Sequence, residues 1–151
     1  AWNNSTALNG DAVDEVSKTG VLHVTKWDGG STLSTAAVSP LEPVETRPVR
    51  VIAIDDLVAE LGVRPPTFVK IDVEGAELGA LRGMLGTIRE ARPGLVYEVD
   101  DGDRTAFLGR QEALDQFVAS LGYEVTHLAD SYPNVNWQVG HSLALPRTGP
   151  S

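Results

Sequence analysis

The sequence predicts an α/β domain whose sheet is mostly parallel and closes with an antiparallel hairpin. Three observations lead to that fold class. The second half alternates strand-like and helix-like segments, in the order strand, helix, strand, helix, strand, strand. The last two strand-like segments, Tyr123–Leu128 and Gln138–Leu145, have no helix between them, as an antiparallel pair at a sheet edge requires. Finally, Phe68-Val-Lys-Ile-Asp72-Val-Glu74-Gly75-Ala-Glu77-Leu78 runs from a short apolar strand through a glycine turn into an amphipathic helix. Ligands of open α/β sheets bind at the carboxyl ends of the strands, so this hinge is also the first place to look for a site.

Taken in order, the chain opens on a polar stretch ending in Asn9-Gly10, a turn signal. Asp11-Ala12-Val13-Asp14-Glu15 follows, then a second turn at Lys18-Thr19-Gly20. Val21–Val24 is apolar and β-branched and reads as a strand. Asp28-Gly29-Gly30-Ser31 reads as a loop. Ser39–Pro48 holds Pro40, Pro43 and Pro48, and proline cannot donate to a ladder, so a connecting loop is expected there. Val49–Ile54 returns to strand character. Asp55 and Asp56 are placed to cap a short helix with Leu57, Val58 and Leu61 on its apolar face and Gly62 at its end.

Pro65-Pro66 leads into the central strand, Phe68–Ile71. After Gly75, Leu78, Leu81, Leu85 and Ile88 recur at steps of three and four, predicting one helix to about Ala91. Gly94–Val99 is the next strand and Asp100–Asp103 an acidic turn. Leu114, Phe117, Val118 and Leu121 mark an amphipathic helix over Thr105–Leu121, closed by Gly122. The final two strands are separated by a polar loop, Ala129–Asn136, and the tail from Pro146 is expected to fray.

The composition sets the class of protein. At 151 residues, 42% hydrophobic and 22% charged, the chain suits one globular domain. Twelve Lys and Arg against 21 Asp and Glu leave a net charge of −9, which opposes binding to nucleic acid or to an anionic membrane. The lack of cysteine removes disulfides and thiolate metal sites and fits a reducing, cytoplasmic location. His23, His127 and His141 are too scattered for a local metal motif, and no metal is assigned. No apolar run approaches the roughly 20 residues of a membrane span. Oligomeric state is not legible.

Lys70-Ile-Asp72-Val-Glu74-Gly75-Ala-Glu77, then Leu81-Arg82-Gly83, then Arg92-Pro93 and Val96-Tyr97-Glu98-Val99, resembles the FkbM family of methyltransferases. Its pattern at this hinge reads approximately K-I-D-V-E-G-A-E, followed by L-x-G, a proline and a strand ending in E-V. Ala12-Val13-Asp14, Gly20-Val-Leu, Gly30-Ser31-Thr-Leu33 and Ile54-Asp55-Asp56-Leu57 resemble its weaker motifs. Past Asp100 the likeness is one of architecture. The resemblance implies a class I, Rossmann-like, S-adenosylmethionine-dependent methyltransferase acting on a hydroxyl of a sugar, glycolipid or polyketide-type small molecule. Phe68–Ile71 would be the fourth strand of that fold and Leu95–Val99 the fifth. The glycine-rich cofactor loop and the ribose-holding acid are not found in the sequence. On the family pattern both belong upstream of Ala1, roughly 60 residues or more at ~30 per strand–helix–strand unit. Residues 1–151 are therefore expected to be the partial domain, its N-terminal strands absent.

Methyl transfer to a hydroxyl needs placement and removal of a proton. The resemblance makes Asp72 the first candidate for base or anchor, at the end of the fourth strand and facing the cofactor. Glu98, at the end of the fifth, is the second. Glu74 would orient the substrate hydroxyl or the cofactor's amino group. Asp11-Ala12-Val13, placed after the third strand, is the candidate border of the adenine, and Ser31 a weaker substrate contact. Each has a plainer reading. Asp72 could cap the helix after Gly75, Glu74 and Glu77 could complement its dipole, and Asp11 could be a turn acid. Asp72, Glu74 and Glu98 are also oxygen donors of the type a hard divalent cation takes.

Two other enzyme or signalling readings fail on spacing. Val69-Lys-Ile-Asp72 is similar to a strand of EAL-type phosphodiesterases, but those need a barrel longer than this chain. Asp55-Asp56 with Lys70 is similar to a receiver domain, but Lys70 lies inside its strand. The remaining alternative is a catalytically inactive, truncated Rossmann-like domain serving as an interaction module.

Overall fold

The computed structural model describes residues 11–26, 31–37, 42–62, 64–129 and 137–148. The Asp28–Gly30 turn, residues 1–10, Pro40 and most of the 129–136 loop lie outside the described residues. Two four-stranded sheets are formed. The first contains β1 (Asp11–Val13), β2 (Lys18–Thr25), β3 (Thr32–Leu33) and β4 (Pro43–Ile52), in the order β1-β4-β2-β3. Then come α1 (Ile54–Leu61), β5 (Phe68–Ile71), α2 (Glu77–Arg82), α3 (Leu85–Ala91), β6 (Gly94–Asp101), α4 (Arg104–Ser120), β7 (Tyr123–His127) and β8 (Gln138–Pro146). The second sheet has the order β5-β6-β8-β7.

The α/β class holds, but the sheets are mixed rather than mostly parallel. β1 pairs with β4 and β5 with β6 in parallel, whereas β2–β3, β2–β4, β6–β8 and β7–β8 are antiparallel. The reason lies in the connections. No helix separates β2 from β4, so the chain returns antiparallel. Helix α4 carries the chain from β6 to β7 in the same direction, and β8 then inserts between them. The expected closing hairpin is therefore present, with its second strand against β6.

Several local expectations are corrected, and the expected turn at Lys18-Thr19-Gly20 is the start of β2. Pro43 and Pro48 belong to β4, not to a loop. β1 reaches only Arg50–Ile52, so both prolines lie where β4 has β2 on one side and no second neighbour among the described residues. The helix after Gly75 is two helices, broken at Gly83 and Met84. Asp55 and Asp56 do not cap α1, whose N-cap Ala53 has no side-chain cap bond. Asp55 instead caps α3, accepting from the amides of Gly86 (2.7 Å) and Thr87 (2.8 Å). Asp56 accepts from the Ser17 hydroxyl at 2.5 Å. The acidic run after Val99 also divides. Asp100 and Asp101 finish β6, and Asp103 caps α4 by accepting from the Ala106 amide at 2.8 Å.

The main core is the helix side of the second sheet. Ile71, Leu95, Tyr97 and Val99 pack there on Leu81, Met84 and Ile88 of the α2–α3 segment and on Leu114 and Val118 of α4. Polar clasps fix α4 in place. The Tyr97 hydroxyl donates to Asp115 at 2.6 Å, and Arg110 pairs with Asp101 at 2.8 Å. Burial and the Asp115 carboxylate push the Tyr97 hydroxyl upward, so it stays a donor. A smaller cluster, Leu33, Val51 and Ala76, ties the first sheet to the turn after β5. Strand residues alternate faces, so Phe68, Glu98, Asp100, His141 and Leu145 lie on the side away from α4. Among the described residues no helix is long and apolar enough to cross a membrane.

Candidate active site

The turn between β5 and α2 has an unusual backbone. Glu74 has φ 50° and Gly75 φ 90°, two successive left-handed residues. Glycine accepts this freely, whereas a glutamate is held there at a cost of order 1 kcal/mol. Three bonds hold it. Glu77, buried, accepts from the Gly75 amide at 2.8 Å. The Ala76 amide donates to the Val73 carbonyl at 3.2 Å, and the Gly75 carbonyl accepts from the Ala37 amide at 2.9 Å. Glu77 is thus the internal brace of the turn. Burial raises its carboxyl, while the amides and Arg110 oppose that rise.

The turn aims Glu74 at the carboxyl ends of β5 and β6. Ile71 pairs with Tyr97, so Asp72 and Glu98 come one residue later on neighbouring strands. Burial, followed by the charges of Asp100, Asp72, Glu98 and Glu77, pushes the Glu74 carboxyl up to about 7. The three sequence-predicted acids Asp72, Glu74 and Glu98 are therefore brought together, and Asp100 joins them.

The surrounding acids are each held by a donor. Asp72 accepts from the Lys70 ammonium at 2.7 Å. It does not cap α2, whose N-cap Ala76 has no side-chain bond. Glu98 meets His141 Nε2 at 2.7 Å, and Asp100 accepts from the Trp137 indole at 2.6 Å. Glu74 has no hydrogen bond among the described residues.

Asp100, Trp137 and His141 were not singled out from the sequence. Their contribution depends on the β6–β8 register, which sets Glu98 against His141 and Asp101 against Gln138. The alternation Glu98, Asp100 along a strand was the available signal.

The other expected residues lie elsewhere. Asp11-Ala12-Val13 is not a loop after a strand but β1 itself, paired with Arg50–Ile52. Asp11 forms an ion pair with Arg50 at 3.5 Å, while Ala12 and Val13 pack into the two cores. Parallel pairing with β4 turns this short segment into a strand. The Ser31 hydroxyl accepts from the Thr25 amide at 3.5 Å, within the β2–β3 connection, and no hydrogen bond joins it to the carboxylates among the described residues. Among those residues, no three His, Asp or Glu side chains converge to hold a metal ion.

The family model described as the Methyltransferase FkbM domain matches residues 2–125. The chain belongs to the FkbM methyltransferase family. No curated protein matches it. Among solved structures it is similar to the crystal structure of methyltransferase FkbM from Methylobacillus flagellatus KT, at 24% identity and a TM-score of 0.49. That likeness covers 64% of this chain and 23% of the other, so the chain spans about a quarter of that protein's length. The matched part of this FkbM domain includes the strained turn, Asp72, Glu74, Glu98 and Asp100, but neither Trp137 nor His141.

Proposed function

We propose that this FkbM domain transfers a methyl group from S-adenosylmethionine to a hydroxyl of a small molecule, a sugar, glycolipid or polyketide-type acceptor. The observation that carries the reading is the group of acids around Glu74 at the carboxyl ends of two parallel strands. The strand order β5-β6-β8-β7, with its antiparallel closing pair, supports a class I, Rossmann-like arrangement in which β5 and β6 are the fourth and fifth strands. When bound, S-adenosylmethionine supplies a methyl group already activated by its sulfonium charge.

The acidic donor set suits the sulfonium end of that cofactor by charge. On the adenosine side, the Asp11 carboxylate is already paired with Arg50. Asp72 anchors the acceptor hydroxyl, and Glu98 supports the removal of its proton. Glu74, with its carboxyl near 7, is partly protonated at neutral pH and both donates to and accepts from the acceptor. A net charge of −9 favours neutral acceptors over phosphorylated or nucleic-acid ones. The absence of cysteine accords with a cytoplasmic location.

Methyl-labelled S-adenosylmethionine, offered with simple glycosides and hydroxylated polyketides to the full-length protein, tests this reading. Asp72→Asn and Glu98→Gln should each slow transfer by about 10²–10⁴-fold. Transfer at the wild-type rate in both variants would remove these acids from the mechanism.

A further inference from the structure

Glu98 does not stand alone on its strand. Register places it beside His141 across β6 and β8, and Nε2 lies 2.7 Å from Oε2. Both side chains are largely shielded, at 18% and 23% exposure. An ionised carboxylate only accepts, so Nε2 must carry the hydrogen. That leaves Nδ1 with its lone pair, and no hydrogen bond occupies Nδ1 among the described residues.

The neighbouring acids are differently engaged. Asp72 holds the Lys70 ammonium and Asp100 the Trp137 indole. Glu74 already carries its proton in part at neutral pH. Among the described residues, the charged groups on the sheet face around His141 are Glu98 beside it, Asp100 further along β6, Lys70 and Asp72 on the β5 side of Glu98, and Glu124 on β7, paired with Leu145. On its other flank, β7 continues into Leu128, which is uncharged and whose amide donates to the His141 carbonyl at 2.9 Å. Among the described residues, the only imidazole on this face is thus oriented by a carboxylate and has no hydrogen bond on its other nitrogen.

We propose that Nδ1 of His141 takes the proton from the acceptor hydroxyl, with Glu98 as the residue that positions the imidazole. This rests on the methyltransferase reading above and names the proton acceptor within it. The acceptor's O–H bond breaks and an N–H bond forms at Nδ1. The electron pair stays on oxygen for its bond to the methyl carbon, whose bond to the sulfonium sulfur breaks with its electron pair passing to sulfur, so that S-adenosylhomocysteine leaves. The imidazolium formed is balanced by the Glu98 carboxylate, the division of labour a carboxylate–imidazole pair performs in other enzymes.

The test is ¹⁵N-histidine NMR of the full-length protein, with His141→Gln to assign the signal and Glu98→Leu to remove the positioning acceptor. Under alkaline conditions the expected result is a protonated Nε2 and a bare Nδ1, with the Nε2 hydrogen slow to exchange. In Glu98→Leu that protection should fall at least about tenfold, the scale of one lost charge-assisted bond. A hydrogen on Nδ1, or protection unchanged in Glu98→Leu, overturns the proposal. In parallel, glycerol serves as a hydroxyl probe with methyl-labelled S-adenosylmethionine. Transfer that drops about 10²-fold or more in His141→Gln supports the role, and transfer that persists overturns it. If glycerol is not methylated, the NMR result decides. Calorimetry with S-adenosylhomocysteine keeps the two claims apart. Binding equal in wild type and His141→Gln places any loss of transfer at the proton step. Failure of the folded wild type to bind counts against the methyltransferase reading itself.

Discussion

The carboxylate of Asp55 accepts two hydrogen bonds from Thr87, one from its amide at 2.8 Å and one from its hydroxyl at 2.7 Å. A third comes from the Gly86 amide at 2.7 Å, and the Asp55 amide itself donates to the Gly83 carbonyl at 2.9 Å. The first turn of α1 thus satisfies the free amides at the start of α3 and fixes the break between α2 and α3. Asp55→Ala leaves those amides and the buried Thr87 hydroxyl unpaired. It should lower the unfolding free energy by about 2 kcal/mol in urea denaturation. Asp56→Ala, which removes one exposed contact with Ser17, should cost about 0.5 kcal/mol or less.

Arg92 has a comparable role at the other end of the second sheet. It sits in a left-handed conformation at φ 50° after α3. Its guanidinium donates to the carbonyls of Leu121 (2.7 Å) and Gly122 (2.9 Å) and lies 4.7 Å from the centre of the Tyr123 ring. Lysine keeps the charge but cannot fork to two carbonyls while covering the ring. Arg92→Lys should therefore destabilise by about 1–2 kcal/mol, read from the same denaturation curve.

Helix α2 lies against the chain just after β1. A side chain at Gly83 would run into the Asp14 backbone carbonyl, and one at Gly79 into the Asp14 carboxylate. Backbone cannot yield as a side chain can. Gly83→Ala should destabilise by about 1–3 kcal/mol. Gly79→Ala, where the carboxylate can turn aside and alanine favours the helix, should cost clearly less.

These relationships explain what was legible in the sequence. The steps of three and four through Leu78, Leu81, Leu85 and Ile88 report a buried face correctly but cannot report a break. The break depends on Asp55, about 30 residues earlier in the chain, which no periodicity within the segment encodes. Pro43 and Pro48 argued for a loop because proline is poor in a two-sided strand, yet β4 has a single neighbour there among the described residues. At the site, the hinge acids were readable because their spacing around Gly75 is local. Trp137 and His141 reach the acids only through strand register, and two residues some 40 positions apart carry no sign of that pairing. Asp11 shows the converse, since its local setting gave no hint of a strand formed by pairing with β4.

Glu74 should give the protein a distinctive pH dependence. Its carboxyl is raised from the ordinary 4.5 to about 7, so the folded state holds the proton more tightly than the unfolded chain. Its contribution is therefore favourable at acid pH. It is lost as pH rises from about 4.5 through about 7, and above that the cost of the ionised form stays constant. The side chain is partly exposed, so solvent screening reduces the effect. Glu74→Gln should flatten that part of the stability profile, making the variant more stable relative to wild type at pH 8 than at pH 5. Parallel profiles for the two proteins would show that the surrounding charges do not act on Glu74 as described.

The most direct test of the central claim is calorimetric titration of S-adenosylmethionine into the full-length protein, beside Asp72→Asn. Both proteins should bind it saturably, with methyl transfer slowed by about 10²–10⁴-fold only in the variant. A folded wild-type protein that takes up no S-adenosylmethionine would contradict the reading of the acidic turn as the methyl-transfer end of this FkbM domain.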